Sequence, residues 1–582
     1  MTSHSLKPLI ALLALIHAVP VLAALPNGVA SGDVSQNSAW LWAHSDMTGA
    51  VTFDVATDAA FSNIFKSFSA SVTNTMQPVK GLVSGLNAGQ QYFYRATDAA
   101  SSSFSGSFRT AAAAGIRTGL HFGVSGDWRG ELAPYPAIKN VAASNLDFFV
   151  KHGDTIYAER YSGPAQPTAS TLTEYRDRHN EVLSSRYGMN TWQDVRASTP
   201  VFATIDDHEV VNDFTGGAPA GGGYYNDTQR YQDGVQAFRE YMPIADTNYT
   251  GTGDARFDGK PNLYRAQQFG SDALVIVTDA RSFRDAELTP WNGTPADAGR
   301  FLTESATQDR TLLGRAQLDQ TKADLKQAQM NGVTWKFVHI AEPTQNLGLA
   351  AAGDRYEGYA RERTELLSFI KNEGIQNTVF ITADIHGTLV NDLTYSLDGV
   401  HQTQSGAWEI STGAVAFEQP FGPTVVDLAA SLSMLNAQQV AYYESLPNDI
   451  AKDQFIKELI KAQLTPLGYT PLGLEGSGIP FTNLMPTIPG YGQLDYSLAT
   501  HAYGWTEFEI DADTGELIVT TWGIPDYSYD EMTADPAAIM AINPQVVSRF
   551  AVAAAVPEPE TYALMLAGLG LVGFMGRRRK SA

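Results

Sequence analysis

The sequence of 582 residues contains no cysteine. Disulfide bonds and thiolate metal ligands are therefore excluded, and any metal ion would be bound by carboxylate, imidazole, phenolate or carbonyl groups. Positive charge is also scarce, because 39 Lys and Arg stand against 62 Asp and Glu, giving a formal net charge of −23. This balance argues against a general basic surface for nucleic acid, since phosphate neutralisation needs clustered cations. An anionic substrate would have to be held by something other than net charge, and bound cations are the obvious candidates.

The amino-terminal end has the features of an export signal. Lys7 precedes an apolar run from Leu9 to Leu22, and Val21–Ala23 offers the small-residue pattern of signal-peptidase cleavage. The run is too short for a comfortable membrane span. We therefore interpret residues 1–24 as a secretory signal that is removed on export.

The carboxyl-terminal end, residues 556–582, carries a tripartite pattern. Pro557–Pro559 reads Pro-Glu-Pro, an apolar run follows from Tyr562 to Met575, and Arg577–Lys580 is basic. This tail resembles the PEP-CTERM sorting signals that exosortases process. A single anchoring helix with a basic stop is the alternative, but the short, Gly-rich apolar run and the Pro-Glu-Pro start favour the sorting signal. The resemblance implies export machinery and an exosortase as partners, and a periplasmic, cell-surface or extracellular location.

Residues 25–112 alternate short β-like runs with turns, which predicts a small antiparallel sandwich. The segment Leu86–Ala96 resembles the corner and following strand of fibronectin type III modules, in which a tyrosine ties down the corner. We expect this all-β, fibronectin III-like unit to serve packing or positioning.

Residues 113–530 have a different character, because β-branched apolar runs alternate with segments of helical periodicity. That alternation predicts an α/β layered domain built on β-sheet. Within it, residues 425–500 suggest an insertion of helices followed by a Pro- and Gly-rich loop, and Gly504–Gly523 a hairpin. Residues 531–555 are interpreted as a linker.

Polar residues follow the apolar runs of this domain one after another. They are Gly126-Asp127, Gly153-Asp154 with Tyr157, Asp206 to Glu209, Asp279 with Arg281, His339 with Glu342, and Asp384 with His386. Ligand sites of open α/β sheets lie beyond the carboxyl ends of the strands, so these groups converge if the runs share a sheet.

A pair of metal ions needs a bridging carboxylate, several hard oxygen or imidazole ligands, and an open edge for water and substrate. Those ligand types are supplied by Asp127, Asp154, Tyr157, Asp207, Asp384 and His386. A phenolate in such a set favours a ferric ion over calcium or magnesium.

The order of these motifs is similar to that of the calcineurin-like metallophosphoesterases, including purple acid phosphatases. The segments "VASGDVSQNSAWLW", "HGDTIYAER", "IDDHEVVND", "TDARSFRD", "GDRYEGYARER" and "ITADIHGTLVND" resemble the PhoD-like alkaline phosphatase and phosphodiesterase family more closely. The resemblance runs from about residue 25 to 530. It implies a fibronectin-like β domain joined to a metallophosphatase domain, with two or more metal ions, Fe(III) plus Ca(II) or another divalent ion.

The resemblance also implies roles for individual residues. Asp154 would bridge the metals, Tyr157 would bind the ferric ion, and Asp207, Asp384 and His386 would be ligands of the third and last motifs. His208 would contact phosphate or donate a proton to the leaving oxygen.

The first motif departs from the family. Many PhoD-like proteins place a cysteine ligand there, whereas this sequence has Gly126 followed by Asp127, which matches the first-motif aspartate of the purple acid type. The identity of the metal at that position is therefore open.

Two further residues keep alternative interpretations. Arg281 is either a catalytic phosphate contact or a structural partner of Asp279 or a ligand carboxylate. His339 resembles the isolated metal-binding histidine of a Val-x-x-His motif, although its spacing differs, and a strand histidine can equally belong to the core. Asp206 and Glu209 are expected to orient ligands.

The leading hypothesis is an exported, metal-dependent phosphatase that hydrolyses phosphate mono- or diesters with a metal-activated water or hydroxide. A phospholipase D-like activity on phosphodiester lipids is the nearest alternative. A surface-attached binding protein with a degenerate metal site is the alternative outside enzymology. The substrate would be a small phosphate ester, a phospholipid or a polymer.

Overall fold

The computed structural model describes residues 25–161, 168–399 and 401–555. The predicted secretory signal and the predicted sorting tail lie outside the described residues. Within these ranges, none of the helices combines the length and the apolar character needed to span a bilayer.

The strands, in chain order, are β1 Val29–Gly32, β2 Ser38–Ala43, β3 Gly49–Ala56, β4 Ile64–Val72, β5 Val79–Ser84, β6 Gln91–Thr97, β7 Ser103–Arg109, β8 Leu120–Trp128, β9 Phe148–His152, β10 Val201–Thr204, β11 Pro219–Ala220, β12 Gly223–Tyr224, β13 Arg265–Phe269, β14 Ala273–Val277, β15 Trp335–His339, β16 Thr378–Thr382, β17 Thr388–Tyr395, β18 Thr403–Ser411, β19 Ala414–Ala416, β20 Phe481–Asn483, β21 Thr487–Ile488, β22 Gly492–Gln493, β23 Leu498–Ala499, β24 Ala502–Ile510, β25 Leu517–Pro525 and β26 Gln545–Val552.

The helices are α1 Leu172–Val182, α2 Thr191–Ser198, α3 Gln229–Tyr241, α4 Pro295–Thr307, α5 Arg315–Met330, α6 Ala360–Asn372, α7 Phe421–Ser431, α8 Ala437–Glu444, α9 Asp449–Leu464, α10 Tyr529–Ala534 and α11 Pro536–Ala541.

Two mixed sheets form the centre of the molecule. The larger sheet contains β8, β9 and β10 side by side and parallel, and the smaller contains β14, β15, β16 and β18 in the same relationship. The sheets pack face to face, with the rings of Phe122 and Phe337 4.9 Å apart between them. The predicted α/β layered fold is confirmed.

Alternation along the strands explains why both faces of each sheet are buried. In β9, Phe148 and Val150 point between the sheets, whereas Phe149 points outward, where helices α1 to α3 cover the larger sheet. Helices α5 and α6 cover the outer face of the smaller sheet in the same way. Because these strands are covered on both faces, most of their side chains are apolar, which explains the continuous apolar runs in the sequence.

The amino-terminal strands form the predicted all-β unit. A four-stranded sheet, β4-β3-β6-β7, packs on β1, β2 and β5, and these three strands extend the larger central sheet. Strand β1 is parallel to β10, with Gly32 opposite Val201. The corner expected at Leu86–Ala96 is present, because the backbone N–H of Asn87 donates a 2.9 Å hydrogen bond to Oη of Tyr92.

Residues 531–555, which we interpreted from the sequence as a linker, instead belong to the folded body. This segment contains α11 and β26, and β26 pairs antiparallel with β25. The physical reason lies in its alternation, since Ser548, Phe550 and Val552 are buried in a stretch whose small residues resemble a linker in composition.

Candidate metal centre

Four of the predicted ligand carboxylates lie at the carboxyl ends of central strands. Asp127 lies at the end of β8, Asp154 just beyond β9, Asp207 beyond β10 and Asp384 beyond β16. Potential ligand atoms of Asp127, Asp154 and His386 lie within 4.8 Å of one another, and so do those of Asp154, Asp207 and His208. Asp154 is the shared member, which is the position that a bridging carboxylate requires.

Backbone strain concentrates on the same residues. The φ angles of Asp127, Asp154, Asp384 and His386 are +62°, +42°, +67° and +57°, in the left-handed region that is uncommon for residues other than glycine, although Asp and His adopt it more often than most. Such conformations persist where the surroundings hold them in place, and they cluster at functional sites. Gly153, at φ +75°, precedes Asp154, and a Cβ on it would lie 2.8 Å from Cβ of Asp206. The strand ends are thus built to aim these side chains at one place.

Tyr157 closes one side of the cluster. Its hydroxyl donates a hydrogen bond of 2.8 Å to Oδ2 of Asp154 and lies 3.3 Å from Oδ1 of Asp127. Burial, followed by the charges of Asp154 and Asp127, raises the pKa of the phenol well above its usual range. A phenolate therefore forms here only if compensating positive charge is bound nearby.

The donor set fits hard cations. Oδ2 of Asp127 is buried and has no hydrogen-bond partner among the described residues. Burial, together with the repulsion of Asp207 and Asp206, raises the pKa of Asp154 well above its ordinary value. Crowded carboxylates of this kind stay ionised when cations neutralise them, and oxygen and imidazole are the ligands such cations prefer.

His208 lies at the edge of the cluster and is held by a carboxylate behind it. Its Nδ1 is 2.7 Å from Oε2 of Glu159, and its Nε2 is 3.8 Å from Oδ1 of Asp207. Burial opposes protonation of the ring, but the charges of Asp207 and Glu159 outweigh it and raise the pKa of His208 to about 9. The ring packs 4.2 Å from that of Tyr157.

Arg281 is fully buried, and carboxylates occupy its donors. It donates 2.7 Å hydrogen bonds to Asp206 and to Asp354, and it also pairs with Glu342. These contacts favour the structural interpretation of this arginine over contact with phosphate. Glu209 accepts from the backbone N–H groups of Asp206 and Thr155, and so fixes the loops after β9 and β10.

Further acidic groups beside the cluster were not assigned from the sequence. Ligand atoms of Glu342, Asp354 and Asp384 lie within 4.8 Å of one another, as do those of Asp213, Glu287 and Asp354. The signal for Asp354 was its place in "GDRYEGYARER", one of the segments that carry the family resemblance.

Comparison with known proteins places the chain in a family. Residues 122–452, more than half of the chain, match the PhoD-like phosphatase family. The chain belongs to this family. Residues 17–112 match the PhoD-like phosphatase amino-terminal domain. The protein is therefore a phosphatase, a hydrolase of phosphoric esters.

Individual relatives agree with this membership. Alkaline phosphatase D of Bacillus subtilis (strain 168) is 26% identical over 433 residues, which cover 68% of this chain and 70% of that protein. A solved structure described as the structure of PhoD superposes with a TM-score of 0.65 at 17% sequence identity, covering 93% of this chain and 94% of that one. At this low sequence identity, the similarity to the solved structure shows a shared fold.

The tail of this PhoD-like phosphatase is also recognised, because residues 555–580 match the PEP-CTERM protein-sorting motif. The motif indicates export and sorting, in agreement with the interpretation of the sequence.

His339 of this PhoD-like phosphatase lies apart from the cluster. It is fully buried between the sheets, its ring is 5.2 Å from that of His152, and neither ring nitrogen has a hydrogen-bond partner in the described part of the chain. None of the metal-capable groups formed by the described residues includes it.

The packing around Gly126 is too tight for the cysteine that the family resemblance leads us to expect in the first motif. A Cβ at this position would lie 2.7 Å from Cβ of Ala383 and 2.9 Å from the carbonyl oxygen of His152. Those distances leave no room for any side chain. The next residue, Asp127, has its carboxylate close to Asp154 and His386.

Proposed function

We propose that the protein is an exported, metal-dependent phosphatase that hydrolyses phosphate mono- or diesters with a metal-activated water or hydroxide. The observation that carries this proposal is the position of Asp154, whose carboxylate belongs to both groups of potential ligands at the strand ends. Membership in the PhoD-like family supports the reaction class.

Two or more cations would be held by the predicted set. Asp127 and His386 share one group of potential ligands with Asp154, and the hydroxyl of Tyr157 contacts Asp154 and Asp127. Asp207 shares the other group with Asp154, whereas Asp384 groups with Glu342 and Asp354. The phenol of Tyr157 supports Fe(III) on its side, and the carboxylates support Ca(II) or another divalent ion beside Asp207. When bound, such ions lower the pKa of water and neutralise phosphoryl oxygens.

The protein's own side chains would protonate the leaving group and hold the ligand carboxylates in position. His208, held by Glu159, would donate a proton to the leaving oxygen. Arg281 would hold Asp206 and Asp354 in place. The local field of bound cations would also let a protein of formal charge −23 admit an anionic substrate.

The decisive experiment measures bound metals and hydrolysis of aryl phosphate mono- and diesters by the purified protein and by Asp154→Asn. We expect at least two bound cations in the parent protein and loss of both metal and activity in the variant, by about 10²-fold or more in kcat/KM. Asp309→Asn, at a carboxylate whose side chain is 90% exposed, is the matched control. Full activity of Asp154→Asn, or a parent protein that binds no metal, would contradict the proposal.

We also propose that an exosortase recognises residues 556–582 and that the enzyme acts in the periplasm, at the cell surface or outside the cell. The sorting motif supports this location. The test compares the mass and location of the protein in a host with an exosortase and in the same host lacking it. An identical mass and location in both hosts would contradict processing.

A further inference from the structure

A cavity of about 540 Å³ opens directly beside the candidate metal centre. Asp384, His386 and Asp354 line one end of it, so its polar end is part of the cluster itself. The remaining wall is built by α7, α9 and the segment before Asp354. Its size falls in the range of small-molecule sites, which are mostly apolar with a few polar groups that fix orientation.

Helix α7 contributes one apolar face to this cavity. Phe421, Val425, Leu428 and Leu432 line the wall, at the spacing of successive turns on one side of a helix. Val426, on the opposite side, is buried in the core beneath. An apolar helix face is normally covered by protein, whereas these side chains border the cavity.

Helix α9 and the preceding loops extend the same surface. Leu459 and Ile460 from α9, Leu347, and Ile385 between the two predicted ligands of the last motif all line the cavity. A phosphate group gains no favourable contact from such an apolar wall. It is suited to an alkyl or aryl group attached to the phosphate.

The charges around the cavity exclude an anionic occupant. Asp213, Glu287 and Asp354 line it, and Arg355 is its basic residue. The guanidinium of Arg355 is already bound by Glu357 and by the carbonyl oxygen of Gly348, both at 2.7 Å. Asp354 is paired with Arg281 and Arg284, but a polyphosphate or an acidic polymer would still meet the carboxylates of Asp213 and Glu287 there.

The lining of the cavity includes His386 and Asp384 but not the predicted proton donor His208. His386 and His208 also belong to different groups of potential ligands, which share only Asp154. A group bound in the cavity would therefore not be the group that departs beside His208.

We propose that this cavity binds an apolar ester group that stays on phosphorus, so that the preferred substrates are phosphodiesters with one alkyl or aryl ester group. The inference rests on the proposed function. Hydrolysis adds water across the other ester bond and yields the apolar phosphate monoester and a free alcohol. The apolar group can come from a small organic diester or from one chain of a lipid, and both present the same chemistry to the wall.

The test uses p-nitrophenyl methyl phosphate and p-nitrophenyl octyl phosphate, below the micellar concentration of the latter, because both release the same leaving group. We expect kcat/KM for the octyl ester to exceed that for the methyl ester by about 10³-fold or more, since the octyl chain is roughly seven methylenes longer and each buried methylene contributes roughly a threefold to fourfold gain. A short-chain phosphatidylcholine then separates the two sources of the apolar group. Hydrolysis of this lipid would indicate a lipid substrate, whereas failure to hydrolyse it would indicate a small organic diester. Equal rates for methyl and octyl esters would overturn the inference while leaving the phosphatase proposal standing.

Binding of methyl- and octylphosphonate by calorimetry gives a readout independent of hydrolysis. Tighter binding of the octyl compound supports the cavity even in a preparation without activity, and equal affinities overturn it. Val425→Trp fills the cavity and is expected to reduce the octyl-to-methyl ratio towards one. Ser431→Trp adds the same ring to an exposed position of α7 and should keep the parent ratio. An unchanged octyl-to-methyl ratio in Val425→Trp would contradict binding of the octyl group in this cavity.

Discussion

The hydroxyl of Tyr157 lies 2.8 Å from Oδ2 of Asp154, three residues before it in the chain. The contact joins the phenol to the carboxylate shared by both potential ligand groups. Because both side chains are buried, the proton between them can leave only when positive charge replaces it. The pair therefore links the occupancy of the site to the ionisation of the tyrosine.

Tyr157→Phe tests this relationship. The substitution removes the phenol oxygen and keeps the buried ring, so we expect lower iron content, loss of visible absorption from an iron–phenolate pair, and a decrease in kcat of about 10²-fold. Metal analysis, visible spectroscopy and steady-state kinetics measure these effects. Tyr187→Phe, at a tyrosine that is 46% exposed, is the control. An unchanged spectrum in Tyr157→Phe would show that the phenol is not a ligand.

Glu159→Gln tests how His208 is positioned. Glutamine can still accept the 2.9 Å hydrogen bond from the backbone N–H of Asn212, but the charge that supports a protonated His208 is lost. We expect hydrolysis of phenyl phosphate to fall by about 10- to 10²-fold and that of p-nitrophenyl phosphate to fall much less, because a good leaving group needs little protonation. A purely structural role would lower both rates equally. Glu418→Gln, at an exposed carboxylate, should change neither rate.

The sequence predicted strand ends from apolar runs followed by Asp or His, and Asp127, Asp154, Asp207 and Asp384 do lie at the ends of four strands. Asp154 shares groups of potential ligands with Asp127 and with Asp207, whereas Asp384 groups with Glu342 and Asp354. The spacing could not show that these ends belong to two facing sheets, because sheet membership depends on long-range pairing.

Residues outside that pattern were harder to place. Asp354 follows no strand, and it reaches the site because Arg281 and Arg284 bind it across the loop. His339 shares its strand face with Trp335 and Phe337, and this alternation indicates the core position that the structure gives it.

Gly126→Cys tests the closed packing of the first motif. A Cβ there would approach Ala383 and the carbonyl of His152 to 2.7 and 2.9 Å, so we expect a loss of about 1–3 kcal/mol in the free energy of unfolding. Urea denaturation measures the loss. Gly299→Cys is the matched control, because a Cβ at that helical position meets nothing within 4 Å and should leave stability equal or slightly higher. Equal stability of the two variants would show that the strand ends adapt to a side chain at Gly126.

The ion pair between His121 on β8 and Glu507 on β24, with Nε2 and Oε1 2.7 Å apart, predicts a pH-dependent stability. Burial opposes protonation of His121, but the hydrogen bond and charge of Glu507 outweigh it and raise the pKa of the histidine. Its contribution is therefore complete below the unfolded-state pKa of 6.5 and disappears as the pH rises through the higher folded-state pKa. Burial likewise opposes ionisation of Glu507, yet His121 lowers its pKa, so that contribution is complete above 4.5 and disappears as the pH falls.

Both contributions coincide between about pH 4.5 and 6.5. Glu507→Gln removes the charge and keeps an acceptor for the indole N–H of Trp522, which donates to Oε2 at 2.8 Å. We expect thermal unfolding to show a lower midpoint for the variant at pH 5.5 by a few degrees, and a difference that shrinks towards pH 9. Glu516→Gln, in the hairpin between β24 and β25, serves as the control and should show no such trend. A deficit that is the same at both pH values would assign the effect of Glu507 to packing rather than to its charge.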